Sequence, residues 1–241
     1  MNTMSKRNAS QEIVDYLLEQ IQSGALKKGS KLPTEYELME HLGVSRIPLR
    51  EAICALRTVG ILESRQGGGT YVTTKCDPTI MGRMLYDYAV LENVDLHQVL
   101  EVRMLLEPEA ARQAALQATQ RQREEILQIA QEYKTVVDHL DDLSDGRLQM
   151  SRWDKSFHQA IAKASSNDFL WILLVVADTS FGELNTRNAR DMGEWGVRYR
   201  DLFAQQHLEI AQAILDENSS LAKKIMEKHT QQIRMALSAR P

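Results

Sequence analysis

From residue 79 to residue 238, apolar residues recur at three- and four-residue spacing. They form seven successive stretches near 79–91, 96–118, 121–142, 147–165, 168–188, 197–217 and 219–238. Such a period gives each segment one apolar face and no strand, so this part of the chain can bury its apolar surface only by packing helix on helix. The twelve glycines and five prolines are few for 241 residues and aromatics make up only 6%, which argues against a β-sandwich or barrel. Leu170 and the run Ile172, Leu173, Leu174, Val175, Val176 are apolar nearly all round, so the helix near 168–188 is expected at the centre of an all-α bundle.

The informative residues of the bundle interrupt its stripes. Leu221, Ile225, Ile233 and Leu237 face inward, and His229 fills their missing step. Tyr199, Phe203, Ile210 and Ile214 do the same around His207. Trp153, Phe157 and Ile161 mark a third buried side, with Asp154 and His158 one turn apart beside them. One such histidine is ordinarily a core residue with a satisfied hydrogen bond. Four polar groups aimed into one bundle cost several kcal/mol unless they share a partner. One divalent metal per chain is such a partner, zinc first, with nickel and manganese as alternatives. His41, His97 and His139 read as surface residues. Cys54 and Cys76 match no disulfide or metal spacing, and Cys54 is placed near the core face of its helix.

The first 77 residues differ in charge and pattern. They carry ten Lys/Arg against nine Asp/Glu, whereas residues 78–241 carry nineteen against twenty-four. Ile13, Val14, Leu17, Leu18 and Ile21 stripe a helix that stops near Gly24. Thr34 and Glu37 form a capping box ahead of Leu38 and Leu42, and Gly43 ends that helix. Ser45 caps the next helix, which carries Leu49, Ile53, Leu56 and Val59 on its apolar side. Ile61–Ser64 and Thr70–Thr73 read as strands of a hairpin around Gln66-Gly67-Gly68-Gly69. Two helices joined by a tight turn and followed by a hairpin make a winged helix-turn-helix, whose second helix enters the major groove by its N-terminal end. Arg46 and Arg50 share one face there, and an arginine can reach a guanine edge with two hydrogen bonds. Ser45 and the helix N-terminus suit a phosphate.

These motifs carry a resemblance. Leu32-Pro33-Thr34-Glu35, Gly43-Val44-Ser45-Arg46-Ile47-Pro48-Leu49-Arg50-Glu51-Ala52 and Gly68-Gly69-Thr70-Tyr71-Val72 resemble the DNA-binding signature of the GntR family of bacterial transcription regulators. The resemblance implies operator contacts from Arg46, Arg50 and the wing around Gly67, and with them Thr34, Ser45, Gln66 and Gly68. Tyr36 stands where many members have an arginine, which puts one phosphate contact in doubt. Asp154-x-x-x-His158 followed by His207 and His229 is similar to the metal site of the FCD effector domain, found in the FadR-type branch, and seven helices match its longer version. Val102-Arg103-x-x-Leu106-Glu107 resembles a segment whose arginine faces the effector pocket, to which Asn185 is also assigned. A surface ion pair between Arg103 and Glu107 is the plainer alternative, worth about 0.3–0.5 kcal/mol.

The expectation is therefore a mainly α protein with a winged helix-turn-helix at 1–77 and an all-α metal- and effector-binding bundle at 78–241. It would be a cytoplasmic, homodimeric regulator, a repressor by expectation, bound to double-stranded operator DNA and answering to a small carboxylate. No membrane partner is expected, because no apolar run approaches the roughly 18–20 residues of a bilayer span. Two rivals stand beside it. One is a metalloenzyme acting on a small carboxylate, disfavoured because no second acid or base shares the inward faces; the other makes the metal itself the signal.

Overall fold

The computed structural model describes residues 9–139, 146–187 and 192–238, apart from the side chains of 147, 185–187 and 192–198. The chain divides into two compact units between Met81 and Gly82. The first opens with α1 (Ala9–Gln22), α2 (Glu35–Leu42) and α3 (Arg46–Thr58), followed by β1 (Leu62–Arg65) and β2 (Gly69–Val72). Its core joins Ile13 and Leu17 of α1 to Leu38, Leu49, Ile53 and Leu56, closed below by Leu62 and Val72. The capping box at α2 is formed: the Thr34 N–H donates to Glu37 Oε2 at 2.7 Å and the Glu37 N–H to Thr34 Oγ1 at 3.3 Å. Gly43 then takes a left-handed φ of 65°, which turns the chain into α3 at no side-chain cost. Ser45 sits at the N-cap of α3 but makes no side-chain cap bond, contrary to expectation, so the first N–H groups of α3 lack a side-chain acceptor.

The wing is an antiparallel pair running from Leu62↔Val72 to Arg65↔Gly69. Its free edge is covered by the connector before α2, where Gly29 N–H donates to Val72 O and Leu32 N–H to Thr70 O. Cys54 is exposed, correcting its expected placement near the core. The buried positions of α3 are Leu49, Ala52, Ile53 and Leu56, and that spacing turns Cys54 to the opposite side, one turn beyond Arg50.

The second unit holds the rest of α4 (Pro78–Leu91), then α5 (Leu96–Gln117), α6 (Gln120–Asp138), α7 (Gly146–Ala164), α8 (Asp168–Arg187), α9 (Met192–Leu215) and α10 (Ser219–Ser238). The central helix is α5, packed against α7, α8, α9 and α10. Its Ala110, Ala111, Ala114 and Ala115 are buried with almost no exposure, because methyl side chains let four neighbours approach closely. The expectation that α8 is central is thus corrected. Phe169 is 69% exposed and Leu173 also reaches solvent, so α8 lies on one side of the bundle. A hydrophobicity pattern reports large apolar residues and passes over an alanine seam. The same reason shifts the buried stripe of α10 to Ala222, Met226, His229 and Thr230, leaving Leu221 exposed. α5 also runs through Pro108, which cannot donate to the carbonyl four residues back. Among the described residues no helix is long and apolar enough to cross a membrane.

α4 meets α8 at close range. A Cβ added at Gly82 would lie 2.6 Å from Thr179 Cβ and 3.1 Å from the Val176 carbonyl oxygen, and Ser180 Oγ donates to Gly82 O at 2.9 Å. Gly82→Ala should therefore push the two helices apart and cost about 1–3 kcal/mol, read as a lower denaturation midpoint. An unchanged midpoint would show that this crossing is loose.

Candidate functional site

His158 of α7, His207 of α9 and His229 of α10 converge inside the bundle, and one nitrogen of each ring lies within 4.8 Å of the others. His207 and His229 are fully buried, and their Nε2 atoms stand 3.3 Å apart. Asp154, one turn before His158, brings Oδ1 to 3.6 Å from His207 Nε2 and 3.9 Å from His158 Nε2, with its side chain 39% exposed. Ligands about 2.0–2.1 Å from a zinc-sized ion stand roughly 3.0–3.4 Å from one another, so small movements would bring this set onto one centre. His158 Nε2 is buried without a hydrogen-bond partner, which an ion would supply.

Neighbours fix the rings. Phe157 stacks on His207 with centroids 4.2 Å apart, Tyr133 leans on its other side, and Phe203 meets His229 edge-on. The Nδ1–H of His229 donates to Gln206 Oε1 at 3.0 Å, and Gln206 in turn donates to Gln232. His158 Nδ1 lies 3.0 Å from Glu107 Oε2. The Nδ1–H bond of His229 leaves its Nε2 lone pair pointing to the centre, the tautomer a metal needs.

Glu107 also ties in Arg103. The guanidinium is 2% exposed, and its Nε donates to Glu107 Oε1 at 2.5 Å. Its Nη1 lies 3.7 Å from Asp178 of α8, and Phe181 lies under its face. The expected alternative, a pair with Glu107, is therefore present but buried. Burial alone would raise the Glu107 carboxyl; Arg103 and His158 outweigh it and hold it well below the usual carboxylate range. Beside Glu107, His158 and Asp178 the free space is only about 10 Å³, room for roughly one water. Asn185 falls outside the described side chains. Sequence reasoning missed Glu107 as a histidine partner, Gln206 and Asp178. The signals were there: Glu107 is i+4 from Arg103, and Asp178 is a lone acid after the apolar run from Phe169 to Ala177.

In the first unit Arg46 and Arg50 stand exposed at the start of α3, flanking one carboxylate. Arg46 Nε donates to Glu35 Oε2 at 3.2 Å, and Arg50 Nε lies 3.9 Å from Glu35 Oε1. Glu35 was not singled out from sequence. Thr34 adjoins it, with its hydroxyl held by Glu37. Gln66 and Gly67 are exposed at the wing tip, where Gly67 has φ 69°, and the Tyr71 hydroxyl donates to Gly68 O. Arg65 covers the Tyr71 ring at 4.1 Å.

Residues 9–72 match the family described as bacterial regulatory proteins, gntR family, and residues 98–232 match the FCD domain. The chain belongs to the GntR family and carries an FCD domain. Like its GntR relatives it is a DNA-binding transcription regulator and not an enzyme. The Uxu operon regulator of Haemophilus influenzae is 30% identical over 228 residues, spanning 92% of this chain and 79% of that protein. The putative L-lactate dehydrogenase operon regulatory protein of Escherichia coli is 30% identical over 229 residues, spanning 92% and 84%. Among solved structures, Streptococcus agalactiae GntR superposes with a TM-score of 0.70 at 30% identity, covering 94% of this chain and 99% of that one.

The histidine cluster gives this GntR protein an acid dependence. Burial first, then the charge of neighbouring imidazoles and Arg103, lowers His207 and His229, the latter to about 3 from an ordinary 6.5. Burial opposes charge on His158 too, but Glu107 outweighs it and raises that ring. Below about pH 6.5 the unfolded chain therefore binds protons at 207 and 229 that the folded metal-free chain refuses, while His158 is protonated in both states. Stability of the metal-free protein should fall as pH drops below about 6.5, with both rings contributing. Thermal melts of chelator-treated protein between pH 7 and pH 5 check this, and His229→Gln should flatten the slope.

Proposed function

We propose that the chain is a homodimeric, metal-containing repressor that binds an operator through residues 1–77 and a small organic or sugar acid through residues 78–241. Arg103 is the observation that carries this reading. A fully desolvated guanidinium, one carboxylate removed from a three-histidine cluster, is placed to recognise an anion that also reaches the metal. Asp154, His158, His207 and His229 would hold one divalent ion, zinc first, with nickel and manganese as alternatives. Neutral imidazoles and a carboxylate suit all three. The ion supplies a positive centre with open positions for an anionic ligand, and the acid's carboxylate would be shared with Arg103 and Asn185.

On DNA, Arg46 and Arg50 would read base edges while Thr34, Ser45, Gln66, Gly67 and Gly68 meet the backbone and adjoining groove. Leu85, Tyr88 and Leu91 on α4 and Val102 and Leu105 on α5 are exposed, by an apolar groove of about 380 Å³. An exposed patch of this kind supports a dimer face. DNA as partner places the protein in the cytoplasm.

The space beside Glu107, His158 and Asp178 is too small for an organic acid, and Asp178 already faces Arg103 at 3.7 Å. An entering carboxylate must displace Asp178, and the next two residues of α8 grip Gly82 of α4, the helix that follows the wing in the chain. Displacement thus gives the ligand a differential contact between two states, the requirement for coupling. The tight packing equally favours a reading in which the metal alone is the signal.

A melting screen of the metal-loaded protein against 2-hydroxy acids and sugar acids separates the two. Under the acid reading one ligand raises the melting temperature, and at 100 times its dissociation constant adds about 2.7 kcal/mol. Arg103→Ala and chelation should each abolish that rise, and Asp178→Asn should strengthen binding. A null screen in which added metal alone changes operator affinity would select the second reading. Separately, Arg50→Ala should cost about 1–3 kcal/mol in operator affinity and relax preference at one base pair; uniform weakening across sequences would make it a phosphate contact.

A further inference from the structure

Ile47 is the second residue of α3 and is 73% exposed. Nothing in the free unit accounts for it. The buried side of α3 is already filled by Leu49, Ala52, Ile53 and Leu56, and a β-branched residue adds nothing to an exposed helix. Arg46 precedes it directly. On the outward face Ile47 continues into Arg50, Glu51 and Cys54 at i+3, i+4 and i+7, all exposed. It is the single large aliphatic group of that face. Between residues 9 and 77 the exposed large hydrophobic side chains are Tyr36, Ile47 and Val59. Two of these three stand in the first turns of α2 and α3, and on α3 the two arginines flank Ile47. A local rule broken at the end of the helix that meets DNA points to a contact made only in the complex.

We propose that Ile47 is a base-reading residue that packs on the C5-methyl group of a thymine in the operator's major groove. This rests on the reading of α3 as the helix that enters the groove. N-terminal residues of such a helix face base edges, and thymine's methyl is the apolar group on those edges. Phosphate is excluded as the partner because isoleucine has no donor. A protein partner fits poorly, since one aliphatic side chain between two arginines is no apolar patch. The reading predicts a thymine within reach of the base pairs that Arg46 and Arg50 contact, once in each half-site.

The test uses the full-length protein and duplexes it enriches from a randomised pool. In the tightest duplex each thymine is replaced in turn by deoxyuridine, which removes only the methyl group. At one symmetry-related position per half-site, wild-type affinity should fall roughly fourfold, the worth of one buried methyl. Ile47→Ala should bind the thymine and deoxyuridine duplexes equally, with an unchanged melting temperature, while Arg50→Ala keeps the difference. If no position responds to deoxyuridine, or if Ile47→Ala responds like wild type, the contact is wrong. If no duplex is enriched at all, the groove-reading role of α3 fails, and this contact with it.

Discussion

Three imidazole rings enclosed with a carboxylate at the middle of a helical bundle set the terms for everything around them. Each ring withdrawn from water loses its hydrogen bonds, and charge on any of them is penalised by the others. The surrounding residues answer that penalty. Gln206 accepts from Nδ1 of His229, Glu107 Oε2 stands 3.0 Å from Nδ1 of His158, and Phe157, Tyr133 and Phe203 hold the ring planes. What is left over is a set of inward nitrogens that face one another, His207 and His229 meeting at Nε2 and His158 Nε2 without a hydrogen-bond partner. The alanines of α5 complete the arrangement, because only a slender central helix lets α7, α9 and α10 bring their histidines so close.

Glu107 joins this cluster to the buried cation. One of its oxygens meets Arg103 and the other His158, so the buried guanidinium and the histidine cluster share a single carboxylate. Asp178 balances the remaining side of Arg103 from α8. The charges are satisfied internally, which offsets the cost of burying a guanidinium in the folded chain. Under the proposed function, a ligand would act on this network by exchange of one carboxylate for another.

Much of this was legible in the residues. A histidine filling an empty step of an apolar stripe shows itself, as His207 and His229 do, and His158 shows itself beside a third stripe, one turn from Asp154. Caps and glycines placed α2 and the turn into α3 because their cause is local. What was missed depends on tertiary distance. Glu107 looks like an ordinary i+4 partner until burial is known, and Asp178 looks like a solvated break in an apolar helix. Glu35 lies eleven residues before the Arg46 it holds. The alanine seam was overlooked for another reason: alanine is helix-favouring everywhere, so its presence does not say which side is crowded. α8 was put at the centre because its residues are large, and Phe169 in solvent shows that size is no measure of burial.

The two halves of the buried site come from different helices. The histidines and Asp154 ride on α7, α9 and α10, whereas Arg103, Glu107 and Asp178 ride on α5 and α8. Under the proposed function, substitutions at the edge of the second set would reshape the anion recognised while leaving the first set untouched. Such a scaffold could change its chemical vocabulary by drift on two helices, with the histidine-bearing half held constant.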